Sequence, residues 1–142
     1  MRALLDVNVL IALLDGSHMH HGQAHAWLDG NIRQGWASCP ITQNGCVRIL
    51  SQNGYPDRKP IAEVALRLRE ATLGSDHEFW PDDVSALSDD VLDWRHLLGA
   101  RQITDAYLLA LAVKHNGRLV TFDPNIPVTA IRGAAARHLA VI

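Results

Sequence analysis

The chain is 142 residues long, with 48% apolar and 20% charged residues. That is the size and make-up of a soluble domain with a substantial core, and it excludes a disordered chain. The net charge of −2, from 13 basic and 15 acidic side chains, excludes nucleic-acid binding driven by overall charge alone.

Eleven of the thirteen basic residues are arginines, which suit phosphate, so a local basic rim stays open. No apolar run approaches the roughly 20 residues that cross a bilayer. Asp6 and Asn8 interrupt the first apolar stretch, so no signal-peptide pattern forms, and a cytoplasmic protein with no membrane partner is expected. Cys39 and Cys46 lack C-x-x-C spacing and read as small buried hydrophobes. Without repeats or linkers, residues 1–142 read as one domain.

Arg2 to Asp6 (RALLD) reads as a short buried strand. Asn8 is placed to cap a helix from Val9 to Leu14. A second helical segment runs from His18 to about Gln34, and Gly35 stops it. Trp36 to Cys39 is a strand, and Pro40 opens a helix that continues to Ser51. Gly54, Pro56 and Pro60 make a loop before an amphipathic helix from Pro60 to Ala71. His77 to Trp80 is a strand candidate, and Ser88 or Asp89 is placed to cap a short helix through Leu97. Thr104 reads as the N-cap of a helix from Asp105 to His115, with Gly117 as its C-cap signal. Arg118 to Phe122 and His138 to Ile142 are strands.

Short apolar strands alternating with helices predict an α/β fold: a parallel sheet of about four or five strands between two helical layers. In such sheets functional groups gather beyond the C-terminal strand ends. Asp6 ends the first strand, Asp123 follows RLVTF, and Asp105 begins a helix. Each has an ordinary alternative: a cap, a turn residue, or a partner for the helix dipole. Brought together, their charges repel, by about 4 kcal/mol per pair at 4 Å in a medium of dielectric near 20. A raised pKa or a cation offsets that, and Mg²⁺ or Mn²⁺ suits oxygen-only ligands.

The strings LLDVNVLIALLD, CPITQNGCVRILS and ITDAYLLALAVKHNGRLVTFD, in this order, resemble the PIN-domain ribonucleases, and within them the VapC-like toxins of bacterial toxin–antitoxin pairs. The resemblance covers nearly the whole chain. It implies a three-layer α/β/α PIN fold and a Mg²⁺- or Mn²⁺-dependent endoribonuclease acting on RNA such as tRNA or rRNA. It also implies a homodimer and inhibition by a cognate antitoxin. The family's acidic site falls on Asp6, Asp105 and Asp123, with Asn8 and Thr121 as polar neighbours and Thr104 beside Asp105. One position departs. Where related toxins carry T-E-N-G, this chain has Gln43 in ITQNGC, with Asn44 as the alternative alignment, so one carboxylate is missing.

Arg95, His96 and Arg101, just upstream of Thr104, are candidates for phosphate contact, with a solvated helix surface as the alternative. His18, His20, His21 and His25 cluster, but no third ligand accompanies the i, i+4 pair His21 and His25, so an exposed helix start is the simpler reading. Two other functions remain. Asp6 as the nucleophile of an aspartyl phosphotransferase or phosphatase is weakened by Asn8 two residues on and by the lack of a suitably placed lysine. A non-catalytic PIN-like partner-binding module is kept open by Gln43.

Overall fold

A computed structural model describes residues 1–142. Five strands, β1 (Ala3–Leu5), β2 (Trp36–Ser38), β3 (His77–Phe79), β4 (Arg118–Thr121) and β5 (Leu139–Val141), form one sheet in the order β3-β2-β1-β4-β5. Every pairing is parallel. The helices are α1 (Val7–Leu14), α2 (His21–Asn31), α3 (Pro40–Ser51), α4 (Ile61–Ala71) and α5 (Ile103–Lys114).

The two-residue period of a strand sorts the sheet into two faces. Leu4, Ala37 and Leu119 join Leu108, Leu109 and Leu111 of α5 in one core. Ala3, Leu5, Trp36 and Val120 join Val9, Leu10, Cys46, Leu50, Val64 and Leu68, from α1, α3 and α4, in the other. The outcome is the expected three-layer α/β/α architecture. Cys39 and Cys46 are free, buried, and on opposite faces. Helix α5 is apolar almost all round, because the sheet covers one side and Leu92, Ile126, Ala130 and Ile131 cover the other.

Strand β1 sits at the centre. The chain winds outward to β2 and β3 on one side, then crosses back to β4 and β5 on the other. The switch point therefore lies between β1 and β4, where open α/β sheets leave a crevice at the strand ends. Leu5 pairs with Val120 in register, so Asp6 and Thr121 emerge side by side.

Several local expectations are corrected. Helix α1 begins at Val7, and Asp6 caps it instead of Asn8, because the Asp6 carboxylate accepts from the Val7 N–H at 2.7 Å. The second helix is shorter than expected, His21–Asn31, with a 3₁₀ turn through Gln34. No α-helix spans 88–97. There the Asp93 N–H donates to Ala130 and Leu92 bridges to Ile131, which holds the chain extended, and only Trp94–His96 forms a 3₁₀ turn. Thr104 is not an N-cap. A 3₁₀ turn over Ala100–Gln102 runs straight into α5, so the helix starts at Ile103 with Gln102 before it. At the other end of α5, Asn116 takes the positive φ of 54° that the sequence suggested for Gly117. Gly117 serves close approach instead: a Cβ there would lie 2.5 Å from the Trp80 ring and 2.7 Å from the Arg2 carbonyl oxygen.

Candidate active site

Asp6 caps α1 at the end of β1 and is only 6% exposed. One carboxylate oxygen accepts the Val7 N–H, and the other accepts the Thr121 hydroxyl at 2.7 Å. The Thr121 oxygen in turn accepts Asn8 Nδ2 at 3.1 Å and the Asp123 N–H at 3.0 Å. A single buried hydroxyl thus ties β1, the first turn of α1 and the turn after β4. Asp123 is held by its own turn, its carboxylate accepting the Asn125 N–H at 2.8 Å.

Asp105 projects from the first turn of α5, half-buried. Burial, then the charges of Asp6 and Asp123, push its carboxyl up to about 6. Asp6 is also raised: burial outweighs the lowering effect of its bonds to Thr121 and Val7, and Asp123 adds to the rise. The three carboxylates therefore share one electrostatic neighbourhood, with no basic side chain among the causes of either shift. All three offer oxygen donors, the chemistry that hard divalent cations take. No three His, Cys, Asp or Glu side chains group tightly enough to enclose an ion by themselves.

The other sequence candidates divide. Asn8 and Thr121 belong to the acidic network. Thr104 is exposed on α5, one residue from Asp105. Gln43, in the first turn of α3, donates to Ser38 Oγ at 2.9 Å, and Ser38 contacts His77 Nε2 at 2.8 Å. No hydrogen bond joins Gln43 to the aspartates; its partner is Ser38. Arg95 grips Asp93 through Nε and Nη2 at 2.9 and 2.8 Å, on a 3₁₀ turn and not on a solvated helix. His96 Nδ1 lies 2.9 Å from the Thr129 carbonyl, and Arg101 is exposed.

The histidine cluster staples helices together. His21 Nδ1 meets the Ala12 carbonyl at 2.8 Å, and His25 Nε2 meets that of Leu13 at 3.2 Å. His20 stacks on Phe122, beside Asp123, with centroids 4.7 Å apart. Sequence reasoning missed that stack, the buried anchor Asp93 and the bridging Gln102. The partner of His20 and the Asn125 partner of Gln102 lie far along the chain, while Arg95 is only two residues from Asp93 but no local pattern signals that this carboxylate is buried.

A parallel sheet with this switch point, carrying carboxylates at the ends of β1 and β4, is a PIN architecture. The family model described as the PIN domain matches residues 3–131, and the chain belongs to that family. Its relatives in Mycobacterium tuberculosis are of one kind. It is 54% identical to "Ribonuclease VapC44" over 142 residues, all of both chains. It is 41% identical to "Ribonuclease VapC39" over 134 residues, 94% of this chain and 96% of that one. It is 42% identical to "Ribonuclease VapC38" over 125 residues, 87% and 86% of the two. The resemblance carried by the three sequence strings is borne out.

Proposed function

We propose that this chain is a metal-dependent endoribonuclease toxin of the VapC kind, acting as one PIN domain over residues 1–142. The observation that carries this reading is the shared neighbourhood of Asp6, Asp105 and Asp123 at the β1–β4 switch point. It gains weight from end-to-end similarity to a protein named as a ribonuclease.

The donor set fits Mg²⁺, with Mn²⁺ able to replace it. These are hard cations, and Mg²⁺ needs only one or two direct carboxylates while keeping several waters. When bound, such an ion supplies water activation and neutralises charge on the phosphate. The chain's own contribution is placement. Thr121 fixes the Asp6 carboxylate, the Asn125 N–H fixes that of Asp123, and burial keeps Asp6 away from bulk water. Arg95, His96 and Arg101 sit on the segment leading into α5 and contact the RNA backbone in this reading. Gln43 supports Ser38 where relatives of the T-E-N-G type carry an acid.

The phosphotransferase reading loses support. Asp6 is nearly buried and both of its oxygens are engaged, so it is poorly placed to attack a phosphoryl group. Further parts of the proposal rest on the family: RNA such as tRNA or rRNA as substrate, a cognate antitoxin, a homodimer and a cytoplasmic setting. No helix is long and apolar enough to cross a membrane.

The test is cleavage of purified total RNA with Mn²⁺, comparing the protein with Asp6→Ala and with an EDTA control. Discrete fragments that need both metal and Asp6 are expected. Cleavage that survives Asp6→Ala would place the chemistry elsewhere. A folded, antitoxin-free protein that neither cleaves RNA nor binds Mn²⁺ would favour the partner-binding module.

A further inference from the structure

A cleft of about 680 Å³ opens between the segment 95–102 and the turn 124–129. Both walls connect directly to the acidic site: Pro124 follows Asp123, and Gln102 lies three residues before Asp105. Two side chains join the walls, His96 at the Thr129 end and Gln102 at the Asn125 end. Gln102 Oε1 accepts the Leu98 N–H at 2.8 Å, and its Nε2 donates to the Asn125 carbonyl at 3.1 Å. Both ends of the Gln102 amide are thereby used on backbone, so it sets the spacing of the walls and reads nothing itself.

The lining offers what a nucleotide needs. The Thr129 carbonyl accepts from His96 Nδ1, which leaves Nε2 of that ring available. Arg95 gives two of its N–H groups to Asp93 and keeps the others, with its side chain 84% exposed. The exposed Asn125 has no side-chain hydrogen bond in this turn and presents an amide that donates and accepts. Pro124 and Pro127 supply apolar surface. The volume falls in the range of small-ligand pockets. Without a cation the three carboxylates repel a phosphodiester, so attraction for RNA in EDTA must come from groups beside them.

We propose that this cleft seats one unpaired nucleotide of the RNA, next to the phosphate presented to the acids, and that Gln102 is the positioning residue that holds it open. The proposal rests on the ribonuclease reading and deepens it to single-stranded RNA. A base lodged between two loops has left its helix, and sequence-dependent recognition of RNA works on such bases.

Nuclear magnetic resonance of isotope-labelled protein in EDTA tests it. The probes are the four nucleoside 5′-monophosphates, a single-stranded hexaribonucleotide of random sequence, and a short blunt RNA duplex. Saturable shifts are expected at the amides of Leu98, Gln102, Asn125 and Ile126 with at least one monophosphate and with the hexanucleotide, and not with the duplex. Gln102→Ala should weaken hexanucleotide binding about tenfold, and Asn125→Ala, at an exposed position, should weaken it while keeping the Gln102 tie to the residue-125 backbone carbonyl. In Mn²⁺-dependent cleavage Gln102→Ala should raise KM more than it lowers kcat. The proposal is overturned if the hexanucleotide shifts other amides and leaves these four unmoved, if the duplex shifts them equally, or if Gln102→Ala lowers kcat with KM unchanged. Shifts in the cleft without any Mn²⁺-dependent cleavage would sink the ribonuclease reading and leave the nucleotide cleft standing.

Discussion

The Thr121 hydroxyl donates to the Asp6 carboxylate at 2.7 Å across the central strand pair, joining residues 115 apart in sequence. The same oxygen accepts from Asn8 and from the Asp123 backbone, so one hydroxyl sets the relative positions of two site carboxylates. Thr121 is fully buried, and the groups that it satisfies have no route to bulk water through it.

Replacing that hydroxyl isolates its effect. Thr121→Val keeps the shape and leaves Asp6 with the Val7 N–H as its remaining donor. A hydrogen bond to a charged group contributes about 2 kcal/mol, and urea denaturation should show a loss of that order. RNA cleavage should fall by about tenfold or more, since the Asp6 carboxylate and the Asp123 backbone lose their common anchor. Thr121→Ser, which keeps the hydroxyl, should recover most of both. Equal behaviour of the Val and Ser variants would show that the bond is not what holds the site.

Asp105 provides a test through pH. Its folded pKa, about 6, lies above the ordinary carboxylate value of 3.8. Between those values the folded state holds more of the proton than the unfolded state, so stability falls as pH rises through the window. The penalty is fully present above about pH 6 and absent below about pH 4. In EDTA at pH 7, Asp105→Asn should therefore stabilise the protein, by about 1 kcal/mol after solvent screening, or roughly 3 °C in Tm. Mn²⁺ should raise the Tm of the parent protein and have much less effect on the variant. A lower Tm for Asp105→Asn in EDTA would mean that the carboxylate is stabilised by a partner not seen at the site.

Position 43 separates two roles. Gln43→Glu restores a carboxylate in the first turn of α3 and removes the amide donor to Ser38. Titration calorimetry should show Mn²⁺ binding tightened several-fold, by the added charge. Unchanged affinity would assign residue 43 to the Ser38–His77 network alone. His77 is half-buried there, and that burial pushes its pKa down.

Gly117 tests packing far from the acids. A Cβ would meet the Trp80 ring at 2.5 Å and the Arg2 carbonyl oxygen at 2.7 Å, and backbone cannot yield as a flexible side chain does. Gly117→Ala should cost about 2 kcal/mol in chemical denaturation while Mn²⁺ binding to the remaining folded protein is preserved. A neutral substitution would mean that β1 and β4 shift apart at that end without penalty.

Much of the fold is legible in the sequence because its strands and helices are local events. RALLD, WASC and RLVTF are short apolar runs bounded by caps and turns, and each forms a strand within a residue or two of where its pattern places it. The segment 88–97 defeats the same reasoning. Ser88 and Asp89 look like helix caps, yet a backbone bond from Asp93 to Ala130 and the bridge from Leu92 to Ile131 override them. Thr104 fails for a related reason: the preceding turn already satisfies the helix start, so no cap is required. The interrupted motif places Gln43 beside the acids, whereas its hydrogen-bond partner is Ser38, five residues back at the end of β2.

The sequence by itself determined the alternation of strand and helix, the parallel sheet that follows, and the placement of Asp6, Asp105 and Asp123 at one edge of it. Hydrophobic period, capping and turn chemistry act within a few residues, and strand direction then decides which end is shared. Only the tertiary structure decided the energetics of that edge. The bond from Thr121 to Asp6, the burial and then the repulsion that lift Asp105, and the Gln102 tie between two loops all depend on groups brought together by folding. Their strength depends on burial, which excludes water and its screening, and burial belongs to the packed molecule.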